Sequence, residues 1–174
     1  MATPAGTAGP APGPSTAEGE PVIVGWPRWP AAVGVVSSAI GFGIAAYLTY
    51  EHYTASTTLS CPAGGGVVNC FKVTTSSYSM IHGVPVVVLG LVFFAVMAAL
   101  QSPRAWASRL RSIRLGRIAW AAAGVATVVW LIYAELFKLD AICLWCTGLH
   151  AVAVVLFAST VFGTSATADF AVED

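Results

Sequence analysis

The sequence predicts an all-α membrane protein, a four-transmembrane-helix bundle with an extracytoplasmic loop between helices 1 and 2. Three observations predict this fold. The 174 residues are 57% hydrophobic and only 9% charged, a composition too apolar for a soluble domain. Long apolar stretches without Asp, Glu, Lys or Arg recur along the chain. Arginines cluster in one short link between two of these stretches, as is typical of the cytoplasmic side of a membrane protein.

Each apolar stretch approaches or reaches the roughly 20 residues that a helix needs to cross about 30 Å of hydrocarbon. Backbone groups in lipid require internal hydrogen bonds, so these stretches favour a helical bundle. We predict the four helices over about residues 31–50, 83–100, 118–134 and 141–162.

The segments outside these helices divide the chain further. Residues 1–28 are rich in Ala, Gly, Pro, Ser and Thr, which predicts a disordered cytoplasmic tail. Residues 29–163 then form the four-helix membrane domain, and residues 164–174 a cytoplasmic C-terminal tail. The first apolar stretch is longer and farther from the N-terminus than the core of a secretory signal, so we expect it to be retained.

The positive charges predict the orientation. The link between the second and third helices carries five of the eight basic residues, and it should lie in the cytoplasm together with both termini. Lys72 and Lys138 fall on the outer side and oppose this assignment, while Arg28 agrees with it. We therefore expect a multi-pass protein of the plasma or inner membrane. With a net charge of zero and no basic stripe, the chain offers no nucleic-acid surface. The arginines of the link are Arg104, Arg109, Arg111, Arg114 and Arg117.

Four cysteines point to the chemistry. Cys61 and Cys70 lie in the outer loop, and Cys143 and Cys146 lie at the start of the fourth helix. The predicted topology brings all four to the extracytoplasmic side, where two cysteine pairs are typical of a relay between protein thiols and a lipid-soluble electron carrier. A helix N-terminus favours the thiolate form of the second pair. The three consecutive glycines of the loop allow it to carry a thiol between two partners.

Two other interpretations of the cysteines stay open at this point. Thiols outside the cytoplasm tend to be oxidised, so the protein is alternatively a non-enzymatic membrane protein with static disulfides. The four thiolates also have the composition of a zinc site, although the wide spacing of the loop pair and an oxidising compartment oppose metal binding.

At these residues the chain resembles the vitamin K epoxide reductase family in its bacterial form. The resemblance covers about residues 29–162. It implies a thiol:quinone oxidoreductase that oxidises a thioredoxin-fold, DsbA-like partner, passes electrons to menaquinone or ubiquinone in the bilayer, and supports disulfide bond formation. Its motifs are the loop pair Cys61 and Cys70, Cys70-x5-Ser76, His82-Gly83-Val84-Pro85-x4-Gly90, and Cys143-x-x-Cys146.

The resemblance also implies roles for the cysteines. Cys61 takes electrons from the partner, Cys70 exchanges with Cys143, and Cys146 is the final donor to the quinone. Each step is thiolate attack on a disulfide or its equivalent at the quinone. Many bacterial relatives carry a fused thioredoxin-like domain that this sequence lacks, so we expect the partner to be a separate protein.

Three further residues are singled out around the quinone. Ser76 matches a family serine near the quinone, although a loop serine is the simpler interpretation. His150 lies one helical turn after Cys146 and matches a vertebrate tyrosine that contacts the quinone; alternatively it is a neutral histidine bonded to a neighbouring helix. Val86 stands where vertebrate members carry an asparagine, and it can only pack.

The position of the pocket and of the nearby charges completes the expectations. The quinone pocket should lie between the outer ends of all four helices, lined by apolar side chains with Cys146 at its edge. We expect Glu135, Lys138 and Asp140 to form a solvated helix end, with tuning of Cys143 as the alternative. Gly41, Gly43, Gly83 and Gly90 should allow close helix contacts.

Overall fold

The computed structural model describes residues 29–54, 66–108 and 110–169, which are mostly helical. The predicted N-terminal tail (residues 1–28), residues 170–174 of the predicted C-terminal tail, Cys61 and Arg109 lie outside the described residues. Four long helices are joined by two short ones, and a π-helical turn, Glu135–Leu139, extends α5. The helices are α1 (Trp29–Thr54), α2 (Cys70–Thr74), α3 (Val86–Leu100), α4 (Pro103–Ala107), α5 (Arg111–Ala134) and α6 (Leu144–Asp169).

Three helical segments are long and apolar enough to cross a membrane, judged by length and composition: Trp29–Thr54, Arg111–Leu139 and Leu144–Ala166. The predicted class, a helical membrane protein, is therefore confirmed. Helix α3 is apolar throughout, but its 15 residues reach only about 22 Å at 1.5 Å per residue. The fourth membrane crossing stays a prediction.

Helix α3 begins later than the predicted residue 83 because a small hairpin precedes it. Its strands, β1 (Met80–Ile81) and β2 (Val84–Pro85), pair antiparallel. The turn between them places His82 at φ 49° and Gly83 at φ 82°, a backbone region that favours glycine. Gly83 therefore serves this turn, and a Cβ atom added to it would have no neighbour within 4 Å.

Helix α6 continues past the predicted end near residue 162 and reaches Asp169. In the added turns the hydroxyl groups of Thr164 and Ser165 each donate to a carbonyl one turn earlier, at 2.6 and 3.0 Å. Small polar residues therefore extend the helix beyond the apolar stretch that predicted it.

The four long helices pack as a ring in which α1 and α5 each contact both α3 and α6. The core between them is apolar and includes Phe94, Met97, Val128 and Leu156. Large apolar side chains also cover the outer surface of the ring, as a bilayer would require. Examples are Val36, Ile40, Val129 and Phe162, whose exposed fractions are 58%, 51%, 62% and 66%.

Of the four glycines predicted to allow close helix contacts, the two in α1 have different surroundings. A Cβ atom on Gly41 would overlap the ring of Phe94, so glycine is what lets α1 and α3 approach. Gly43 has no atom within 4 Å of the same position. A Cβ atom on Gly90 would lie 4.0 Å from the Cβ atom of Ala45, an ordinary contact.

A buried polar cluster lies at the end of the bundle that carries the arginine link. Gln101 donates from Nε2 to Thr160 Oγ1 at 2.6 Å and accepts from Trp106 Nε1 at 2.8 Å. The guanidinium carbon of Arg117 lies 3.5 Å from the centroid of the Trp106 ring. These contacts hold α4 against the ends of the long helices. The described cysteines lie at the opposite end of the bundle.

Candidate active site

Backbone pairing brings the outer loop to the start of α6. Val67 accepts a hydrogen bond from the Ile142 N–H at 2.9 Å, and the Asn69 N–H donates to the Ile142 carbonyl at 3.0 Å. The Asn69 side chain then caps α2 by accepting from the Lys72 N–H at 2.9 Å. This pairing buries Cys70, the first residue of α2, in one cluster with Val73, Ala141 and Cys143.

The cysteines of the described residues are in different chemical states. Cys70 is disulfide-bonded, whereas Cys143 and Cys146 are free thiols and therefore are not its partners. Cys61, the remaining cysteine, lies outside the described residues. The structure thus brings Cys70 together with the Cys-x-x-Cys pair.

The two free thiols differ in environment. Cys143 is fully buried and immediately precedes α6, where its carbonyl accepts the first helical hydrogen bond from the Thr147 N–H at 2.9 Å. The Cys146 N–H donates to the Cys143 sulfur at 3.3 Å. A hydrogen bond from the Cys146 side chain lowers the pKa of the Cys143 thiol below its ordinary value, against the opposing effect of burial. Cys143 is accordingly the thiol that the protein favours as a thiolate.

Glu135 corrects the prediction of a solvated helix end. Lys138 and Asp140 are exposed as expected, but Glu135 is only 6% exposed. The π-helical turn redirects the chain, so the Glu135 carbonyl accepts from the Ala141 N–H at 3.1 Å and its Oε2 accepts from the Cys143 N–H at 3.5 Å. The prediction was wrong for Glu135 because spacing along the chain does not reveal this turn.

A large cavity of about 300 Å³ lies between α3, α5 and α6. Its walls are almost entirely apolar, and Cys146 and His150 are the thiol and the imidazole among them. Helix α1 does not line this cavity, although its residue His52 lines the smaller cavity that adjoins it. Phe94, which lines the large cavity, packs against Gly41 of α1. The expectation that the quinone pocket lies between the outer ends of all four helices stays a prediction. Other lining residues are Val86, Gly90, Phe93, Trp120, Gly124 and Leu131.

A small cavity of about 60 Å³ adjoins the large one and is more polar. Cys146 and His150 line both cavities, and Val86 does as well. Ser76 lines only the small cavity, and its hydroxyl donates to the Val73 carbonyl at 2.8 Å. Further polar residues of its wall are His52, Tyr78, Ser79 and Glu135.

His150 is the imidazole that links the two cavities. It lies one turn after Cys146 on α6 and is 7% exposed. Within the described part of the chain no hydrogen bond joins its side chain to a neighbouring helix, and its side chain lines both cavities. A ligand or water in either cavity could therefore contact His150.

An apolar helical bundle that holds a free thiol pair beside a buried disulfide cysteine has the features of a membrane thiol oxidoreductase. The chain belongs to the vitamin K epoxide reductase family, whose sequence model matches residues 32–161. Among curated proteins it is similar to the thiol-disulfide oxidoreductase LTO1 of Arabidopsis thaliana, with 44% identity over 57 residues. That match covers 33% of this chain and 14% of LTO1, so the chain corresponds to a small part of that protein.

Proposed function

We propose that this protein is a membrane thiol:quinone oxidoreductase that reoxidises a thioredoxin-fold, DsbA-like protein and so supports disulfide bond formation outside the cytoplasm. One observation carries the proposal. Cys146 lies in the wall of the large apolar cavity, while Cys143 is buried in one cluster with Cys70. The Cys-x-x-Cys pair thus adjoins a protein disulfide on one side and a cavity suited to an apolar ligand on the other.

The large cavity supports a quinone as the electron acceptor. Its volume of about 300 Å³ falls at the lower end of the range for small-molecule sites, roughly 300–1,000 Å³. A flat, apolar ring such as that of menaquinone or ubiquinone matches walls built from Phe93, Trp120 and Leu131. His150 would donate a hydrogen bond to a quinone oxygen, and Cys146 would be the adjacent electron donor.

The electron path runs through four cysteines. The partner's thiols reduce a Cys61–Cys70 disulfide by exchange at Cys61, and the Cys70 thiolate then attacks a Cys143–Cys146 disulfide at Cys143. Cys61 resolves the mixed disulfide, which leaves Cys143 and Cys146 reduced and the loop pair oxidised. A disulfide-bonded Cys70 beside a free Cys143 and Cys146 corresponds to this step, immediately before the quinone is reduced.

Ser76 has a proposed place in the site as well. It lines the small cavity next to Cys146, and its hydroxyl proton is held by the Val73 carbonyl. Its oxygen lone pairs remain available to accept from water or from a group on the quinone side. Ser76 would therefore order the loop and the edge of the quinone site together.

The proposed membrane arrangement follows the sequence. Residues 29–163 form the membrane domain with α3 as the fourth crossing, which a thin or locally deformed bilayer can accommodate. Residues 1–28 and the residues that follow α6 lie in the cytoplasm, together with the arginine link. The cysteines then face the extracytoplasmic side of the plasma or inner membrane.

The proposal is tested by steady-state quinone reduction in detergent with a reduced thioredoxin-fold protein as electron donor. The wild-type protein should reduce menaquinone or ubiquinone, and Cys146→Ala should not. Cys143→Ala should also stop electron flow from the loop. If no quinone is reduced by the wild-type protein with a competent donor, the cysteines are static disulfides or metal ligands and the proposal is wrong.

A further inference from the structure

The chain contains a buried carboxyl group that the electron path does not use. Glu135 lies beside the Cys-x-x-Cys pair, lines the small cavity and has no ion-pair partner within the described residues. A buried carboxylate without a counter-ion is costly in an apolar bundle, so its retention calls for a chemical role. We propose that Glu135 takes the proton of the Cys143 thiol and passes it, through the small cavity and His150, to the quinone. This inference rests on the proposed quinone reaction.

Glu135 lies close enough to Cys143 for its carboxyl group and the Cys143 thiol to share one proton. Its Oε2 accepts from the Cys143 N–H at 3.5 Å, so the carboxyl group lies at the base of the cysteine that forms the thiolate. A negative charge on Glu135 raises the pKa of Cys143, since two adjacent anions disfavour each other. The pair therefore favours a single negative charge, and formation of the Cys143 thiolate favours protonated Glu135.

The small cavity supplies a route from Glu135 to the quinone site. Its volume of about 60 Å³ exceeds the 10–15 Å³ or so that one water needs, and its walls offer polar partners. Glu135 and His150 both line it, and His150 also lines the large cavity. Water in the small cavity would connect the carboxyl group to the imidazole, and the imidazole would face the quinone oxygen.

The reaction balances with this route. Two S–H bonds break, one S–S bond forms between Cys143 and Cys146, and two electrons reduce the quinone. The proton of Cys143 passes to Glu135 Oε2, then by water to His150, which donates it to one quinone oxygen. Cys146 lines the quinone cavity and delivers its own proton to the other oxygen, so the products are one disulfide and one quinol.

Other titratable groups face the same region and enter the pH dependence. From α1, His52 lines the small cavity, and Tyr78 lines it from the loop. Lys138 and Asp140 follow Glu135 but are exposed, and the Lys138 Nζ lies 5.8 Å from the centroid of the Tyr133 ring. Neither of them lines the small cavity, so Glu135 is the carboxyl group positioned for the transfer.

The test is the Glu135→Gln variant, which keeps a hydrogen-bond acceptor for the Cys143 N–H but carries no proton. We expect its kcat for quinone reduction to fall about 100-fold, the lower end of the effect of a general acid or base. The KM for quinone should stay unchanged. Acid quenching and alkylation during turnover should find the Cys143–Cys146 pair reduced, because exchange with the loop continues while the last step is slow. Glu135→Asp should restore much of the rate and the wild-type shape of the pH profile.

Asp140→Asn is the matched control. It makes the same acid-to-amide change five residues away, at an exposed position with φ 46° that asparagine tolerates, and it should leave the rate unchanged. A wild-type rate and pH profile in Glu135→Gln would overturn the inference while the proposed function stands. A Cys143–Cys146 pair that stays oxidised during turnover of Glu135→Gln would also overturn it. The same holds if Glu135→Gln and Glu135→Asp lose the same fraction of the rate, since either result means that Glu135 only positions Cys143. If Glu135→Gln does not fold, the pH profile of Glu135→Asp decides by the same criterion. A wild-type protein that reduces no quinone refutes both proposals.

Discussion

Cys143 and Cys146 are three residues apart, yet the fold assigns them to different neighbours. Cys143 is sealed in the cluster that contains Cys70, and Cys146 lies in the walls of both cavities. Cys146 also packs against the edge of the cluster, so the pair connects the cluster to the cavities. An electron relay needs such a connection between the loop disulfide and the quinone.

The hydrogen bonds from Cys146 predict how the Cys143 thiol titrates. They lower its pKa, so the thiolate forms below the ordinary thiol value of about 8.5 and is lost as the pH falls through the lowered pKa. The corresponding stabilisation of the fold is fully present above the unfolded-state pKa and disappears over the same fall in pH. Cys146→Ala removes the side-chain hydrogen bond, and the titration midpoint of Cys143 should move upward. Thiolate absorbance against pH in the reduced variant and the wild-type protein measures this shift; an unchanged or lower midpoint would contradict it.

His150 is expected to act on the quinone and not on thiol exchange. His150→Phe keeps a ring of similar size in the wall of both cavities but removes the nitrogens that face them. Quinone turnover should fall by about 10-fold or more, as expected for loss of a hydrogen bond worth roughly 1.5 kcal/mol in the transition state. The rate of exchange with the thioredoxin-fold donor serves as the internal control and should not change. Equal quinone turnover in the two proteins would return His150 to a packing role.

At the scale of the elements, glycines decide how closely the helices approach. In Gly41→Ala the new methyl group would overlap the Phe94 ring, so the α1–α3 contact must open. We expect a loss of about 1–3 kcal/mol, as for other overpacked cores. Gly43→Ala is the matched control in the same helix, because its Cβ position is open and alanine favours a helix by up to about 1 kcal/mol. Thermal unfolding in detergent should therefore move in opposite directions for the two variants, and equal shifts would contradict this account of the packing.

The helices and the thiol motifs could be predicted from the sequence because both depend on local patterns. Apolar stretches identify spanning helices, and a Cys-x-x-Cys pair is visible as printed. The inward turn of Glu135 could not be predicted, since it depends on the π-helical turn and on the pairing of Ile142 with Val67 from a distant loop. A lone Glu at the end of an apolar stretch, eight residues before Cys143, was the available signal. This pattern is also typical of an ordinary solvated helix end, so it did not predict a buried Glu135.

The shape of the cavity was likewise beyond prediction from sequence. The apolar residues of α3, α5 and α6 give the same sequence pattern whether they fill a core or line a pocket. Only the side-chain arrangement, with Phe94 against Gly41 and Phe93 against Gly124, shows which helices border the open space. Family membership supports a quinone as the ligand, whereas the choice of bordering helices is a property of packing.

At the scale of the whole molecule, the two ends of the bundle are specialised. One end is closed by the hydrogen bonds of Gln101, Thr160 and Trp106 and carries the arginine link. The other end combines the docked loop, the thiol pair and the small cavity, and the large cavity extends from there into the bundle as far as Phe93 and Trp120. In the proposed orientation the closed end faces the cytoplasm, so thiol exchange takes place on the outer side of the membrane.

The most direct test of the central claim is a single turnover without a partner. Protein is fully reduced, freed of reductant and mixed with one equivalent of quinone, and the quinol and the protein disulfides, in the loop pair and in the Cys143–Cys146 pair together, are both counted. The account predicts one quinol for each disulfide formed in the wild-type protein and none in Cys146→Ala. Disulfide formation without quinol, or equal quinol from the two proteins, would contradict a path that ends at Cys146.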